Sequence, residues 1–218
     1  MVFLVSFKSD PKATKKETIF GIDISEYQDD WIDLKKVKKD KRHVKFVIIR
    51  ATMGDDRKDD KFQRRIKEVR EAGFITGAYH YYDPNENSTK QAENYLSRVK
   101  LQKGDFIPIV DLEKLSKIQS TKELRQGLKN WLDIVEKKYG AKPMLYTGYK
   151  FYLDYLAKDF SAYPLWVAAY SEEKRETSVV KNCEIHQFSE RVSIYGIKDK
   201  VDGNDIKKAD LYKILLKK

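Results

Sequence analysis

Two segments decide the predicted fold: FVIIRAT at residues 46–52 and IPIVDLE at residues 107–113. Each is almost continuously apolar until a charged residue appears, which is typical of a strand that is buried on both faces of a parallel sheet. Other short apolar runs along the chain alternate with longer amphipathic segments that predict helices. This repeated order of strand and helix predicts a parallel sheet covered by helices.

The predicted strands are Ile19–Ser25, Val44–Ala51, Phe74–Tyr82, Ile107–Glu113, Met144–Thr147, Leu165–Tyr170, Glu184–Phe188 and Lys200–Gly203. The predicted helices are Leu34–Lys39, Asp60–Ala72, Thr89–Val99, Thr121–Tyr139, Tyr149–Ala157 and Ile206–Leu216. Since good helices are lacking after the sixth or seventh strand, we predict the α/β class and a distorted (β/α)8 TIM-like barrel with some outer helices missing. An open doubly wound sheet is the alternative, but it usually has a glycine-rich turn after its first strand, and residues 25–28 are not one.

The composition limits the class of protein. The 218 residues include 44 Lys plus Arg and 34 Asp plus Glu, which gives a formal net charge of +10. That length fits one substantial domain, which we place at residues 18–218. Residues 1–17 are predicted to be a flexible leader, or the remnant of an export signal or membrane anchor. The single cysteine, Cys183, excludes an intrachain disulfide and a multi-cysteine metal site.

Three of the predicted strands end in acids set among apolar residues: Asp23, the pair Asp111 and Glu113, and Asp202. Burying an ionised carboxylate beside Ile and Val is costly unless it is paired or hydrogen-bonded, so this repeated pattern indicates a use for the charge. In a parallel barrel the carboxyl ends of the strands converge on one rim, where active sites lie. We therefore expect these four acids to share a site.

The Asp111–Glu113 pair has the spacing of neighbours on one face of a strand, with Cα atoms roughly 6.5 Å apart. Two carboxyls this close acquire different pKa values, and apolar surroundings raise the pKa of at least one of them. A protonated acid beside an ionised partner suits the cleavage of a glycosidic bond. An isolated pair of this kind more often forms salt bridges or caps a helix, and four such acids might instead hold Mg²⁺ as in a phosphodiesterase.

Aromatic residues near the same predicted rim suggest a surface that binds sugars: Tyr79, Tyr81, Tyr82, Tyr146, Trp166 and Tyr170. Strand alternation directs Tyr79 and Tyr81 into the barrel and His80 towards the helices. The alternative is that these rings belong to the core. Other reaction classes lack their motifs, because there is no G-x-S-x-G elbow and the three histidines have no metal-binding spacing.

Eight pieces of the chain, in order, resemble the glycoside hydrolase family 25 muramidases: GIDISEYQ (21–28), FVIIRAT (46–52), AGFITGAYHYY (72–82), PIVDLE (108–113), MLYTGYKFY (144–152), LWVAAY (165–170), IHQFS (185–189) and VDGN (201–204). The resemblance implies a distorted barrel that hydrolyses the β-1,4 bond between N-acetylmuramic acid and N-acetylglucosamine in peptidoglycan. It implies Glu113 as the general acid and Asp111 as its partner, with Asp23 and Asp202 as further acids of the site. It also implies substrate contacts at Tyr81, Tyr146, Trp166 and Gln187, to which the strand pattern adds Tyr79.

The resemblance implies no cofactor and no metal. The expected partners are peptidoglycan glycan strands and, through the basic surface, anionic wall polymers. We expect a monomer that does not bind nucleic acid and that acts outside the cell or in the envelope, although no intact export signal is evident. A non-hydrolytic wall-binding protein is the alternative from another class. A family 18 chitinase is disfavoured, because its motif would need acids where Phe106 and Ile109 stand.

Overall fold

The computed structural model describes residues 17–28, 32–170, 180 and 182–218. Its strands are β1 (Thr18–Ile24), β2 (Phe46–Met53), β3 (Arg57–Lys58), β4 (Ile75–Tyr81), β5 (Ile109–Asp111), β6 (Met144–Gly148), β7 (Leu165–Ala168), β8 (Cys183–Val192) and β9 (Val201–Lys207). Its helices are α1 (Leu34–Val37), α2 (Phe62–Glu71), α3 (Ser88–Arg98), α4 (Thr121–Tyr139), α5 (Tyr149–Phe151) and α6 (Ala157–Phe160). A π-helical turn, Tyr152–Leu156, joins the last two helices, and Leu211–Lys213 form a 3-10 turn.

Except for Glu17, the predicted leader lies outside the described residues. Within the described ranges, none of the helices combines the length and the apolar character that crossing a bilayer requires.

Eight of the described strands close into a barrel in the order β1-β2-β4-β5-β6-β7-β8-β9, and β9 pairs with β1. The strands from β1 to β8 pair in parallel around the barrel, whereas β9 is antiparallel to both β8 and β1. The short β3 adds an antiparallel pairing to the end of β2. Residues 193–200, between β8 and β9, contain no helix. The predicted distorted barrel with missing outer helices is therefore confirmed.

Strand alternation separates the barrel interior from the layer under the helices. Phe46 and Ile48 of β2 belong to the interior cluster, whereas Val47 and Ile49 pack in the outer cluster with the helices. Gly21 permits this interior packing, because a Cβ atom at that position would lie 2.3 Å from the ring of Phe46. Side chains thus fill the barrel interior at the amino ends of the strands. Functional side chains can therefore lie only at the rim that the carboxyl ends of the strands form.

The longest predicted helix, Thr121–Tyr139, is confirmed as α4, and its boundaries have local causes. Ser120 and Glu123 form a reciprocal capping box at its start, and Gly140 ends it with a φ of 66°. Its buried Trp131 stacks on His80 of β4 with ring centroids 5.6 Å apart. The prediction that His80 points towards the helices is therefore confirmed.

The predicted C-terminal helix, Ile206–Leu216, is wrong. Ile206 lies in β9, opposite Ile19 of β1, and the chain then forms only the 3-10 turn. Leu211 and Ile214 are both buried in the interior cluster, where they close the floor of the barrel. Their spacing of three residues is also the spacing of apolar residues on one face of a helix, which explains the wrong prediction. The pairing of β9 and the burial of these two side chains in the interior cluster instead fix the conformation of the segment.

Candidate active site

Asp23 and Asp202 face each other across the pairing of β1 with β9. Asp202 is the second residue of β9, so the prediction that it lies at the carboxyl end of its strand is wrong. Because β9 runs antiparallel to β1, the beginning of β9 meets the carboxyl end of β1. The two acids therefore share the expected rim, although they reach it from strands of opposite direction.

Gln187 of β8 bridges these two acids. Its Nε2 atom donates to Oδ2 of Asp23 at 3.0 Å and to Oδ2 of Asp202 at 3.2 Å. Its Oε1 atom accepts from the hydroxyl of Tyr146 at 2.8 Å and from that of Tyr170 at 2.5 Å. Because two hydroxyl donors occupy the amide oxygen, the amide nitrogen is the group that faces the acids.

Asn204 of β9 holds Asp23 from the other side. Its Nδ2 atom donates to Oδ2 of Asp23 at 2.7 Å, and its Oδ1 atom accepts from the indole nitrogen of Trp166 at 2.8 Å. The ring of Trp166 packs against Tyr146 with centroids 4.6 Å apart, and against Tyr79 at 6.3 Å. Aromatic packing thus fixes the indole donor, which in turn orients the amide that holds the carboxylate.

Burial controls the protonation of these two acids. It raises the pKa of Asp23 from 3.8 to about 6, although hydrogen bonds from Asn204 and Gln187 act in the opposite direction. Burial, followed by the negative charge of Asp23, raises the pKa of Asp202 to about 8. Around neutral pH this pair therefore holds one proton and one negative charge.

Asp111 and Glu113 are brought together but differ in environment. Asp111 ends β5 and is 4% exposed, and its Oδ1 atom is buried with no hydrogen-bond partner among the described residues. Glu113 lies beyond the strand and is exposed, so the expectation that both acids sit on the strand is wrong. Burial, followed by the charge of Glu113, raises the pKa of Asp111 well above its usual range. The pair thus consists of a buried carboxyl whose environment favours the protonated form and an accessible carboxyl.

The predicted aromatic residues lie at different depths. Tyr79 packs against the interior cluster and Tyr81 is half-buried near the rim, where the ammonium group of Lys114 lies 5.8 Å from its ring centroid. Tyr146 is 8% exposed, Trp166 2% and Gln187 1%. Trp166 and Gln187 therefore present little surface to a ligand, whereas Tyr81 remains accessible.

Three residues near the acids were not among the predicted site residues: Arg50, Asn204 and Tyr170, although Tyr170 was predicted as an aromatic residue of the rim. Arg50 is 6% exposed and its guanidinium lies 2.6 Å from a carboxylate oxygen of Glu26. Its positive charge lowers the pKa of Asp111, against the effect of burial. A signal existed for two of them, since Arg50 interrupts an apolar strand and Asn204 lies two residues after Asp202, on the same face of the strand.

The metal-binding alternative finds no suitable cluster in the described part of the chain, where no three His, Cys, Asp or Glu side chains are grouped to hold an ion. Around Asp23 the geometry also differs from that of a cation site. Two amide N–H donors, from Gln187 and Asn204, converge on its Oδ2 atom.

Comparison with known proteins identifies the family. Residues 22–197 match the model of glycosyl hydrolases family 25. The chain is 38% identical over 189 residues to the Escherichia coli (strain K12) protein YegX, which covers 86% of this chain and 69% of that one. It is 27% identical over 182 residues to the autolytic lysozyme of Clostridium acetobutylicum, covering 84% of this chain and 54% of that one. The family 25 lysozyme from Aspergillus fumigatus has the same fold, with a TM-score of 0.78 at 22% identity over 93% of this chain and 100% of that one. The chain therefore belongs to glycosyl hydrolase family 25, and it is a glycoside hydrolase.

Proposed function

We propose that this glycoside hydrolase is an N-acetylmuramidase that cleaves the β-1,4 bond between N-acetylmuramic acid and N-acetylglucosamine in peptidoglycan. The observation that carries the proposal is the Asp111–Glu113 pair, in which a buried, proton-holding carboxyl lies beside an exposed one at the open end of the barrel. A pair of carboxyl groups in unlike environments is the usual machinery of glycosidic cleavage. The relative named an autolytic lysozyme supports peptidoglycan as the substrate.

Glu113 is assigned as the general acid because it is the accessible member of the pair. Burial favours the protonated form of Asp111, so we assign to the pair a proton that Glu113 can deliver. That proton passes through Glu113 to the leaving glycosidic oxygen as the bond from the anomeric carbon to that oxygen breaks. A water molecule then supplies hydroxide to the anomeric carbon and returns its proton to the pair, so the enzyme is regenerated.

Asp111 has a second task in this proposal. Its buried Oδ1 atom has no partner among the described residues, and a polar group of the substrate, such as the acetamido N–H, would provide one. Attack by water and assistance by the substrate's own acetamido group differ in the intermediate that they form. Proton NMR of the first product formed establishes whether the anomeric configuration is retained or inverted.

Asp23 and Asp202 stabilise the positive charge that develops on the sugar. The pair carries one negative charge around neutral pH, held by Gln187 and Asn204. A fixed charge of this kind acts without reorganisation as the transition state forms. In this proposal Gln187 and Trp166 position the acids.

The rings at the rim contact the glycan directly. Tyr79, Tyr81 and Tyr146 are assigned to this role because each phenol lies close enough to the acids for their charges to affect its pKa. Burial raises the pKa of all three phenols, so they remain neutral hydrogen-bonding groups over the working pH range.

The test is to identify the reducing ends that form on purified peptidoglycan. After borohydride reduction, reduced muramic acid is the expected product. Reduced glucosamine would indicate a glucosaminidase, and an absence of new ends would favour a wall-binding protein. Treatment with EDTA should leave the rate unchanged, because the proposed chemistry uses carboxyl groups alone; loss of activity, restored by Mg²⁺, would revive the metal-dependent alternative.

The assignment of Glu113 is tested by Glu113→Gln, which should lower the rate about 10²–10⁴-fold, as expected for loss of a general acid. The matched control is Glu93→Gln, on the exposed surface of α3. Full activity in Glu113→Gln would overturn the assignment. We further propose that the enzyme acts as a single barrel domain and as a monomer, outside the cytoplasmic membrane where peptidoglycan lies.

A further inference from the structure

The segment that carries Glu113 is anchored where it leaves the barrel. Leu112, directly before Glu113, is buried, and its backbone N–H donates to the carbonyl of Tyr146 at 3.0 Å. Its own carbonyl accepts from the hydroxyl of Thr147 at 2.7 Å. Residues 112–120 contain neither helix nor strand, and within the described chain residues 113–115 make no backbone–backbone hydrogen bond. The position of Glu113 therefore depends on the next point at which this segment is held.

Asn85, in the loop between β4 and α3, supplies that next anchor. Its Oδ1 atom accepts from the backbone N–H of Lys117 at 2.8 Å and from the hydroxyl of Ser116 at 3.0 Å. The hydroxyl oxygen of Ser116 accepts in turn from the backbone N–H groups of Ile118 at 3.1 Å and Gln119 at 2.8 Å. One amide oxygen thus holds the turn that follows Glu113.

The loop of Asn85 is itself held in place. The backbone N–H and the Nδ2 atom of Asn85 both donate to Oδ1 of Asp83, at 3.0 Å and 3.2 Å. Because the amide nitrogen is engaged by a carboxylate, the amide oxygen is the atom that faces the segment of Glu113. The buried side chain of Gln91 accepts from the backbone N–H of Asp83 at 2.8 Å and donates to its carbonyl at 2.8 Å. Asn85 therefore projects from a loop that is fixed to α3.

A third loop joins this arrangement at the rim. Arg57 of β3 lies 2.7 Å from a carboxylate oxygen of Glu86 and 3.2 Å from one of Asp83. The other oxygen of Glu86 accepts from the backbone N–H of Asp55 at 2.7 Å. Exposed ion pairs contribute little to stability when they are isolated, whereas a connected set also restricts the loops that it joins. The loops after β2, β4 and β5 are thus hydrogen-bonded to one another, and Asn85 links the last of them to the other two.

We infer that Asn85 is a positioning residue for the general acid and holds Glu113 beside Asp111 from the neighbouring loop. The inference rests on the proposed function, which assigns proton delivery to Glu113. A general acid has to lie within hydrogen-bond reach of the oxygen that it protonates, and a displacement of about 1 Å can lower a rate about 100-fold. A carboxyl on irregular backbone is held this closely only by contacts from outside its own segment. Asn85 acts through the segment and not through the substrate.

The first test is Asn85→Ala, which removes the acceptor for Ser116 and Lys117. On soluble peptidoglycan oligomers, kcat should fall about 10–100-fold and KM should change less than about threefold, because the surface that binds the glycan is retained. Asn85→Asp keeps an acceptor oxygen and should recover the rate to within about threefold of the unmodified enzyme. The matched control is Gln102→Ala, an exposed amide in a loop at the opposite end of the barrel, which should leave kcat unchanged.

A second substrate distinguishes a displaced acid from general damage to the site. The leaving group of a dinitrophenyl glycoside of the same sugar departs as a stable anion and needs no proton. On this substrate Asn85→Ala and Glu113→Gln should both stay within about threefold of the unmodified enzyme, although both lose activity on the natural bond. A purely structural role for Asn85 predicts equal losses on the two substrates.

The outcomes separate this inference from the proposed function. Equal losses of Asn85→Ala on the two substrates would overturn the inference, and so would an unchanged kcat on the natural bond while Glu113→Gln is impaired. Full activity of Glu113→Gln on the natural bond would overturn the assignment of the acid, and the inference with it. Ser116→Ala removes one of the two contacts to Asn85 and should show the same pattern with a loss of about threefold. If Asn85→Ala does not fold, as judged by circular dichroism, this milder variant decides the matter.

Discussion

Replacing Asp23 by asparagine should stabilise the folded chain more at pH 8 than at pH 4.5. Asp23 is 7% exposed, and it accepts hydrogen bonds from Gln187 and Asn204 on one carboxylate oxygen. An asparagine side chain at this position would keep an oxygen for both donors and would remove the buried negative charge. The substitution therefore separates the cost of the charge from the contribution of the hydrogen bonds.

The magnitude follows from the pKa of Asp23, which burial raises from 3.8 to about 6. A difference of one pKa unit corresponds to about 1.4 kcal/mol, so ionised Asp23 lowers the free energy of unfolding by about 3 kcal/mol at high pH. The folded state binds the proton more tightly than the unfolded state does. Stability is therefore lost as the pH rises from about 4 to above 6, and Asp23→Asn should abolish this part of the loss.

Asp202 extends the effect to higher pH. The charge of Asp23 is the second cause, after burial, of the rise in the pKa of Asp202 to about 8. Without that charge, Asp202 ionises more easily in the folded protein. The unmodified chain should thus lose stability up to about pH 8, whereas Asp23→Asn should have a flatter profile over the whole range.

The measurement is urea unfolding from pH 4.5 to 8, followed by the fluorescence of the buried Trp131 and Trp166. The informative quantity is the difference between the stability gain of Asp23→Asn at pH 8 and that at pH 4.5, expected to be about 2 kcal/mol from Asp23 itself, because about 1 kcal/mol of the loss is already present at pH 4.5. Asp60→Asn, an exposed acid at the same end of the barrel, serves as the control. A gain that is the same at both pH values would refute the reasoning. Under the proposed function, the stabilised variant should also be slower by about 10-fold or more.

Two substitutions test the parts that support the acids. Gln187→Met leaves the hydroxyls of Tyr146 and Tyr170 without their acceptor, so we expect a loss of about 3 kcal/mol in urea unfolding, against less than about 1 kcal/mol for Tyr170→Phe alone. A similar small loss in both variants would contradict the bridging role. Gly21→Ala places a methyl group 2.3 Å from the ring of Phe46 and should lower the melting temperature by several degrees, and a second substitution, Phe46→Leu, should partly restore it. If the double variant is as unstable as the sum of the two single variants, the steric explanation fails.

The parts of the fold that were predictable have local causes. The apolar segments 46–52 and 107–113 predict buried parallel strands, and β2 and β5 lie within or across them. The boundaries of α4 follow from a capping box and a left-handed glycine, both visible in the sequence. Asp23 and Asp111 were placed correctly on the rim for the same reason, since each ends a strand whose direction the strand–helix order predicts.

The parts that were missed depend on strand direction and register. Nothing local in residues 201–204 distinguishes a strand that ends there from one that begins there. The strand was therefore predicted, but its direction and its extent to Lys207 were wrong, and a helix was predicted where β9 continues. The hydrogen-bond partners of Asp23 lie 164 and 181 residues away in the sequence, in Gln187 and Asn204. The pattern around each of these amides is compatible with a core or a surface position, and only the register of β8 with β9 brings both to one carboxylate.

The direction of β9 determines which residue Asp23 meets at the acid site. Directly opposed residues of an antiparallel pair have Cα atoms roughly 4.5–5.5 Å apart, so the register of Asp23 with Asp202 forces their carboxyls together and leaves one proton between them. The same direction places the other end of the strand, Lys207, at the floor of the barrel. A parallel β9 would exchange these positions and bring a lysine beside Asp23. The direction of one strand therefore determines which residue meets Asp23 at the rim and whether the two side chains share a proton.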